Sequence, residues 1–536
     1  MAVEMSMEAE ALTLVIYEHW ALALLLALPI STGIIYILTQ RYQRYLRSIP
    51  GPFLASFTDL WRFVKVREGR FELILQALHD QYGDLVRVGP NCISVADPRE
   101  IRQIYGISRL FQKSEYYRVA QPLINSKPVA SLFMITNEDA HKAAKRPIAH
   151  AYAMTSLLDY EPFVDKTSTV LVERLSSLYA DTDKACDIGE WLQWYAFDVI
   201  GEMTMSRRFG FLEQGRDVGT IIKTLNKSGA YTAIIGQMPW LDYLLAKNRV
   251  WGHLFSRDKM GVSKFVLSFL QPRIDEAATR RRREKSNDAA AATTATSSSP
   301  KEPDQRKDFT ARFIAASEKY SGTIPPSQLL GWSLSNVNAG SDTTAITLRA
   351  IFHFLLTHPP CLSRLLDELH SAKLSALPTF RETSTLPYLG AVIKESLRLH
   401  TPVGLILERV VPEGGATLCA HYFPRGTVVG CNPTIIHKDA RVFGRRYGVH
   451  EFRPERWLEA PCGSAELAEM ERCFMAFGAG KRTCIGKNIS LLEVHKLVPL
   501  LLMKFKFTLV DPKKSLTIWN TFFVHQKGLE VYVENE

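Results

Sequence analysis

Apolar residues follow different patterns along the chain, and each pattern predicts a different kind of element. Residues 19–40 form an apolar run without Asp, Glu, Lys or Arg. Residues 84–96 alternate over a short distance, which predicts two β-strands around a Gly-Pro turn. In 140–275 and 309–400 apolar residues recur three and four positions apart, which predicts helices.

The remaining segments are distinguished by composition as much as by periodicity. Residues 401–435 are rich in Pro and Gly and predict β structure, whereas an apolar run predicts a helix from 486 to about 503 before a β-like tail. Residues 280–308 are small, polar and charged with no apolar period, which predicts a flexible surface loop.

The apolar run at 19–40 predicts a transmembrane anchor. As a helix it would span roughly 33 Å, against a hydrocarbon core of about 30 Å. Residues 1–40 contain no Lys or Arg, and the first basic residues are Arg41, Arg44 and Arg47. This bias predicts a cytosolic location for the rest of the chain. A cleaved signal peptide would need a basic start and a shorter apolar core, and a buried core helix is the other alternative.

These patterns predict a simple domain organisation along the chain. The predicted parts are a short lumenal N-terminus (1–18), the anchor (19–40), a basic and proline-containing hinge (41–52) and a catalytic domain (53–536).

Composition and charge narrow the classes of protein. The chain has 536 residues, of which 46% are hydrophobic and 22% charged, so a disordered, collagen-like or disulfide-scaffold protein is excluded. A net charge of +10 favours acidic partners or anionic surfaces without choosing between them. The eight cysteines are scattered without CxxC spacing, which excludes zinc ribbons and thioredoxins and suits a reducing compartment.

One cysteine is singled out by its surroundings. Cys484 stands in the Gly-rich segment 477–486, next to Lys481 and Arg482 and just before the predicted helix. The helix dipole, backbone N–H groups and nearby cations predict a preference for thiolate over thiol. No local base is available, so a metal ligand is favoured over a nucleophile. A phosphate loop, and hence a membrane-tethered NTPase, fits poorly because Arg482 stands where Ser or Thr is needed.

A second motif, residues 339–344, lies in the predicted helix 325–356. Gly340 costs a helix about 1 kcal/mol relative to Ala, which implies a compensating role. Asn336, Gly340 and Thr343 share one helix face. A small residue there would let a flat group approach the backbone, while a hydroxyl and the neighbouring Asp342 could relay protons. A mid-helix kink with exposed polar residues is the alternative.

These motifs together resemble the cytochrome P450s. Phe477, Gly480, Arg482, Cys484 and Gly486 match the FxxGxRxCxG haem-binding loop of that family, and residues 339–344 resemble its oxygen-activation motif. The resemblance extends from Pro50 to the C-terminus. Residues 197–202 and 207–211 look like fungal members near pisatin demethylase and the fungal benzoate hydroxylases.

The resemblance implies a fold, a cofactor and catalytic residues. The fold would be mainly α with a small β lobe, behind one membrane helix. Haem b would be held with the Cys484 thiolate as axial ligand to the iron. Thr343 would hydrogen-bond the bound dioxygen, and Asp342 would pass solvent protons to it.

Further residues acquire expected roles in the same way. Arg409 and Arg482 would hold the haem propionates, together with His141 and Lys145 in place of the family's WxxxR pattern, with Arg146 as a substitute for Lys145. The ExxR pattern of residues 395–398 is, taken alone, a possible surface ion pair worth a few tenths of a kcal/mol. In the family it belongs to a buried structural triad, whose members here would be Glu395, Arg398 and Arg456.

The implied activity is that of a microsomal haem-thiolate monooxygenase of fungal secondary metabolism. It would convert RH, O₂, two electrons and two protons to ROH and water, by hydroxylation, epoxidation or oxidative demethylation of a small lipophilic substrate. No flavin or nicotinamide fingerprint occurs, so NADPH would act through a separate flavoprotein reductase. This partner would dock in part on basic residues near Cys484, namely Arg472, Lys481, Arg482 and Lys487.

The expected setting is the endoplasmic reticulum membrane, with a single span in contact with lipid, a cytosolic catalytic domain and no nucleic-acid partner. The alternatives are a haem-thiolate isomerase, dehydratase or peroxygenase, and a non-catalytic haem-binding membrane protein. The predicted substrate-pocket walls are residues 116–133, 225–245 with Trp240, the helix face 332–339, the strip 403–407, and Phe522 with Phe523.

Overall fold

The computed structural model describes most of the chain. The described residues are 17, 19, 20, 25, 27, 28, 31–35, 38–107, 111–124, 127–248, 250, 252–293, 308–320, 325 and 327–536. Part of the predicted anchor and nearly all of the predicted lumenal segment therefore lie outside them. Within these ranges, no helix combines the length and the apolar character needed to cross a membrane.

A long helix, Ser327–Thr357, runs through the protein and is called the central helix below. Its residues from Leu329 to Phe352 are buried on almost every side, as expected of a helix that is apolar all round. It packs along the helix Ile188–Met205. Gly340 allows this approach, because a Cβ added there would lie 3.1 Å from Cγ1 of Ile200.

The other helices surround this pair and supply most of the fold. The α-helices of the described ranges are Leu60–Arg67, Phe71–Tyr82, Ile101–Tyr105, Tyr116–Val119, Glu138–Lys145, Met154–Leu157, Glu161–Leu178, Ile188–Met205, Phe211–Gln214, Ile221–Ile235, Trp240–Leu244, Gly252–Thr293, Phe309–Lys319, Ser327–Thr357, Pro359–Ser371, Phe380–Thr383, Pro387–Leu399, Pro433–Ile436, Ala440–Phe443, Arg456–Glu459, Ala465–Cys473 and Lys487–Lys504. Short 3₁₀ helices cover Leu54–Ser56, Pro98–Glu100, Ala149–Tyr152, Leu158–Tyr160, Val218–Thr220 and Gly480–Arg482.

The β structure is small and is assembled from distant parts of the chain. Its largest sheet has five strands in the order Leu85–Gly89, Cys92–Val95, Val428–Gly430, Arg409–Val410 and Gln112–Lys113. Lys113 pairs directly with Arg409 across the last two strands. The remaining strands are Phe505–Leu509, Glu530–Asn535 and Cys186–Asp187 in one sheet, and the hairpins Thr517–Thr521 with Phe523–Lys527, Leu123–Ile124 with Lys127–Pro128, and Ala416–Leu418 with His421–Phe423.

Most of the predicted elements are confirmed, with one clear correction. The strands in 84–96, the helix predicted at 325–356 and the helix predicted at 486–503 are all present. The flexible loop predicted at 280–308 is wrong for residues 280–293, because the helix Gly252–Thr293 continues through them. Arg, Lys, Glu and Ala favour a helix even without an apolar face. Residues 294–307 lie outside the described ranges.

A buried ion cluster fastens the helix Pro387–Leu399 to the segment that follows the β structure. Glu395 and Arg398 are fully buried, and Arg456 is 2% exposed. The Arg398 guanidinium donates to both Glu395 oxygens, at 2.8 and 2.7 Å, and Arg456 Nε donates to Oε1 at 3.2 Å. Trp457 Nε1 donates to Oε2 at 2.9 Å. Such bidentate pairing satisfies the buried carboxylate on both oxygens.

Candidate active site

A cavity of about 380 Å³ lies between the central helix, the Gly-rich segment 477–486 and the five-stranded sheet. Helix Ile221–Ile235 and the hairpin that contains Phe522 contribute further wall. The predicted site residues that line it are Cys484, Arg482, Phe477, Gly486, Thr343, Asp342, Arg409, His141 and Lys145. Gly480 belongs to the same segment but is not part of the lining.

The segment 477–486, called the cysteine loop below, is a tight turn whose shape depends on glycine. Gly478 and Gly480 have φ values of 70° and 64°, a region that side chains with a Cβ rarely adopt. At Gly480 a Cβ would also lie 1.8 Å from the carbonyl oxygen of Tyr105. The Cys484 N–H donates to the Phe477 carbonyl at 2.8 Å. The turn thereby presents the cysteine just before the helix Lys487–Lys504.

Cys484 is accessible from the cavity although the cavity is inside the protein. Burial raises the pKa of its thiol, while the N–H groups of Gly486 and Lys487 and the charge of Lys145 act in the opposite direction. The expectation that the surroundings alone favour thiolate is therefore wrong, because desolvation outweighs the helix terminus. A bound metal cation would supply the missing positive charge.

All eight cysteines belong to the described residues, and Cys484 alone among them lines the cavity. Cys419 lies elsewhere, close to Asp97 and Glu100. Its backbone N–H donates to Glu100 at 2.8 Å, and Asp97 is already paired with Arg99 at 2.6 Å. These partners explain the cluster around Cys419 as a local hydrogen-bonded network.

The central helix contributes a hydroxyl and a carboxyl group on consecutive residues to the cavity lining. Thr343 Oγ1 donates to the Ala339 carbonyl at 2.8 Å. Asp342 accepts a hydrogen bond of 2.9 Å from Gln193, whose amide oxygen accepts one of 2.9 Å from Arg349. Burial raises the pKa of Asp342 to about 6, although Gln193 and Arg349 lower it. The carboxyl group therefore exchanges a proton near neutral pH.

Gly340 lies on the central helix where this helix borders both the cavity and the helix Ile188–Met205. It lines the cavity, as a residue that admits a flat group would, and its missing side chain also makes room for Ile200. A kink is not its role, since the helix Ser327–Thr357 continues through it without interruption.

The two predicted arginines reach the cavity from different elements. Arg482 pairs with Glu138 at 2.8 Å and donates to the Ile135 carbonyl at 2.9 Å. Arg409, on its short strand, donates to the Glu408 carbonyl at 2.8 Å. Both guanidinium groups are thus oriented by the protein. All three nitrogens of Arg482 already have protein acceptors, whereas in Arg409 the acceptors are found on Nη1.

The helix Glu138–Lys145 supplies His141 and Lys145 to the same wall. Burial, followed by the charge of Arg482, lowers the pKa of His141 to about 3, so this histidine is neutral at physiological pH. Arg146 is exposed and absent from the cavity lining. Its proposed substitution for Lys145 is therefore wrong, because the two side chains leave the helix in different directions.

Two tryptophans that were expected on the pocket wall are not there. Trp240 is 56% exposed on the outer surface. Trp332 is fully buried in the core and donates from Nε1 to the Ala144 carbonyl at 3.2 Å. The other predicted wall segments each contribute lining residues.

The sequence motifs do not identify some of the residues that line the cavity or hold its lining residues in place. Lys113 enters the cavity wall opposite Arg409, and Gln193 holds Asp342 from the neighbouring helix. Both positions depend on contacts between segments far apart in sequence. A buried lysine beside a β-tending run carries no distinctive sequence signal.

The cavity thus combines one thiol, apolar walls, cationic groups and a hydrogen-bonded acid. These features define a mainly helical haem-thiolate protein: the thiol suits iron, the apolar walls suit a macrocycle, and the cations suit its carboxylates. The family model for cytochrome P450 matches residues 50–533, and the chain belongs to that family.

Several fungal proteins are similar over nearly their whole length. A cytochrome P450 monooxygenase of Aspergillus terreus is 41% identical over 89% of this chain and 93% of its own. Monooxygenase cicH of Emericella nidulans is 39% identical over 94% and 96%, and mfmA of Annulohypoxylon moriforme is 36% identical over 94% and 95%. The predicted family is confirmed, whereas the placement near pisatin demethylase and the benzoate hydroxylases stays a prediction.

Family membership establishes the class of activity. The protein is a haem-dependent monooxygenase with a cysteine thiolate as axial ligand of the haem. In this family a redox partner typically supplies the electrons, and O₂ and a small substrate are the reactants.

Proposed function

We propose that this monooxygenase acts through haem b held by Cys484 and inserts one oxygen atom of O₂ into a small lipophilic substrate. The observation that carries the proposal is that Cys484 and Thr343 line one and the same cavity. Haem, when bound, supplies the iron at which dioxygen is activated, and a thiolate ligand favours cleavage of the O–O bond.

The acid beside Thr343 supports a role in proton supply. Asp342, with its pKa of about 6, can hold a proton and release it near neutral pH. Gln193 fixes the carboxyl group and is itself half-buried, so it lies between the cavity wall and the surface. Rotation of the Thr343 hydroxyl away from the Ala339 carbonyl would direct its proton into the cavity.

The cations of the cavity wall are assigned to the propionates of the haem. Arg409 and Arg482 offer planar guanidinium groups suited to carboxylates, and Lys145 adds a point charge. His141, which is neutral, would contribute a hydrogen bond rather than a charge.

The electron donor is proposed to be an NADPH-dependent flavoprotein reductase with an acidic docking face. Lys487 is exposed at the start of the last long helix and is the strongest candidate contact. Lys481 and Arg482 are engaged by Glu138, and Arg472 lies 3.8 Å from Glu469. These three residues are therefore weaker candidates for contacts with the reductase than their positions in the sequence indicate.

The proposed location is the endoplasmic reticulum membrane, with residues 19–40 as a single span and the catalytic domain 53–536 in the cytosol. The absence of Lys and Arg before Arg41 supports this orientation. The fungal origin of the similar proteins supports a role in fungal secondary metabolism.

The thiolate assignment is tested by the spectrum of the reduced protein with carbon monoxide. We expect the strongly red-shifted Soret band of a thiolate ligand, and we expect Cys484→Ser to lose it because an alcohol is a weaker, normally protonated donor. Cys419→Ser and Cys473→Ser serve as controls and should keep the band, since neither cysteine lines the cavity. A band that survives in Cys484→Ser would remove Cys484 from the iron.

A further inference from the structure

Lys113 is a cation in the cavity wall that none of the proposed roles uses. The residue is 7% exposed. Its Nζ donates to the Phe133 carbonyl at 2.7 Å and lies 4.1 and 4.0 Å from the ring centroids of Tyr117 and Phe133. One carbonyl and two ring faces leave an ammonium group incompletely satisfied.

The charges around Lys113 are mostly of its own sign. Lys113 and Arg409 stand directly opposite each other on paired strands, so their side chains project from the same face of the sheet, where like charges destabilise each other. Arg482 adds a third positive charge, and Glu138, the carboxylate that acts on Lys113 electrostatically, is already paired with Arg482.

Among the residues that the structure describes, no carboxylate lies within ion-pair distance of Lys113. Burial, with the charges of Arg409 and Arg482, lowers the pKa of Lys113 well below its ordinary value. A buried ammonium without a counter-ion is costly, and an anion bound in the cavity would remove that cost.

Charge counting indicates where such an anion would come from. Two haem propionates would neutralise two of the charges on Arg409, Arg482 and Lys145, and Glu138 offsets one more. Lys113 is then the surplus cation. It also lies beside an aromatic cluster, in which the Phe133 ring centroid is 5.2 Å from that of Tyr117 and 5.4 Å from that of Phe522.

We propose that Lys113 binds the carboxylate of an apolar or aromatic carboxylic acid that enters the cavity as substrate. The inference rests on the proposed function, because it needs haem in the same cavity. It narrows the substrate class from lipophilic molecules in general to lipophilic acids.

The first arm of the test uses the haem-loaded protein and ω-(imidazol-1-yl)alkanoates of increasing chain length, each with its primary amide. Imidazole binds haem iron whichever protein ligand is present, and binding is read as a shift of the Soret band. For at least one chain length we expect the acid to bind roughly tenfold tighter than the amide, as a charge-assisted hydrogen bond allows. The preference should vanish in Lys113→Met and persist in Lys113→Arg.

Lys142→Met is the matched control, because Lys142 is an exposed lysine on a helix that borders the cavity, and it should keep the preference. Lys113→Met removes an unpaired buried charge, so the melting temperature of the haem-free protein should not fall. If the acid preference survives in Lys113→Met, another residue binds the carboxylate and the proposal is wrong.

The second arm measures the rate of haem transfer to apomyoglobin. If Lys113 instead holds a propionate, Lys113→Met should lose haem roughly tenfold faster, with no preference between acid and amide in the wild type, and the proposal is wrong. Equal affinities at every chain length overturn the proposal whether or not the rate of haem loss changes. A missing red-shifted carbon monoxide band would instead count against Cys484, since the imidazole titration does not depend on it.

Discussion

Two regions of this protein bury charged groups, and they bury them in opposite ways. Around Glu395 each carboxylate oxygen accepts hydrogen bonds, and the remaining Arg398 donors reach carbonyls of His437 and Val449 at 3.0 and 2.7 Å. Around the cavity, Asp342 and Lys113 are buried with displaced pKa values. We call a network closed when its buried charged groups are paired with one another and hydrogen-bonded within the protein, and open when some of them lack such partners. A closed network stabilises a fold, whereas an open one leaves groups able to exchange protons or bind anions.

The difference lies in geometry and not in residue type. In the cluster around Glu395, donors and acceptors from helices and turns lie within direct hydrogen-bond distance of one another. At the cavity, the same kinds of side chain are separated by about 380 Å³ of space. We therefore expect a ligand in that space to complete the hydrogen bonds and ion pairs of the cavity wall.

The largest expected effect follows from removing the Glu395 carboxylate from the buried ion cluster. Glu395→Ala leaves two buried guanidinium groups without their carboxylate, which should cost about 3–5 kcal/mol and abolish the folded haem-loaded protein. Haem content and urea unfolding measure the loss. Glu471→Ala is the control: this exposed residue pairs with Lys394 at 2.9 Å, and its removal should cost less than about 1 kcal/mol. A normal yield of haem-loaded Glu395→Ala would show that the cluster is not essential to the fold.

Closed and open networks also differ in how far sequence predicts them. The residues of the cysteine loop are contiguous, so Gly480 and Cys484 could be placed together from spacing alone. Glu395 and Arg398 lie one helical turn apart, and the resemblance supplied Arg456. Lys113 and Gln193 could not be predicted, because their neighbours depend on strand register and on the packing of two helices.

The errors have the same physical origin. Trp332 was assigned to the wrong face of a helix that is buried all round, where periodicity no longer distinguishes the core from a cavity. The desolvation of Cys484 depends on tertiary burial, which a local motif does not report. In residues 280–293 helix propensity, rather than apolar spacing, determined the structure.

The second prediction concerns the titration of Asp342 in the cavity wall and its effect on the free energy of unfolding. The pKa of Asp342 is raised from 3.8 to about 6, so between these values the folded state holds a proton that the unfolded state releases. Stability from this group is present below about pH 4 and is lost as the pH rises through about 6. Relative to Asp342→Asn, the wild-type free energy of unfolding should fall by about 2–3 kcal/mol over that range.

Parallel urea titrations of the two proteins between pH 4 and pH 7 would measure this difference. Asp159→Asn, a change at an exposed residue paired with Arg312 at 3.0 Å, should follow the wild-type profile. If Asp342→Asn also follows it, Asp342 titrates like an ordinary carboxyl group and the cavity wall is not an open network at this point.

The third prediction concerns coupling of the reaction to NADPH. Thr343→Ala should keep haem and ligand binding, because its hydroxyl bonds only to the Ala339 carbonyl of its own helix. Without that hydroxyl, proton supply is misdirected, so product per NADPH should fall by about tenfold, with hydrogen peroxide formed instead. Thr357→Ala, with the same type of bond at 2.7 Å to His353, is the control. Unchanged coupling would remove Thr343 from proton supply and favour a reaction without O–O cleavage.

The smallest expected effect concerns the N-terminus and requires a careful choice of boundary. Arg87 is 1% exposed, and its guanidinium donates to the carbonyls of Gln40 at 2.6 Å and of Arg41 at 3.1 Å. Both terminal nitrogens of Arg87 are thus held by backbone carbonyls in place of carboxylates, whereas its buried Nε has no partner among the described residues. Deleting residues 1–38 leaves these acceptors in place, so the truncated protein should keep its haem and its melting temperature while it is released from membranes.

Deleting residues 1–47 instead removes the carbonyls of Gln40 and Arg41, and also that of Leu46, which accepts from Arg87 at 3.3 Å. The longer deletion should lower the free energy of unfolding by about 1–3 kcal/mol, the cost of leaving a buried donor unsatisfied. Urea unfolding of the two truncated proteins side by side measures this difference, and flotation of the full-length protein with membranes tests the anchor separately. Equal stability of both truncations would mean that water satisfies Arg87, so that this network is open to solvent and differs from the one around Glu395.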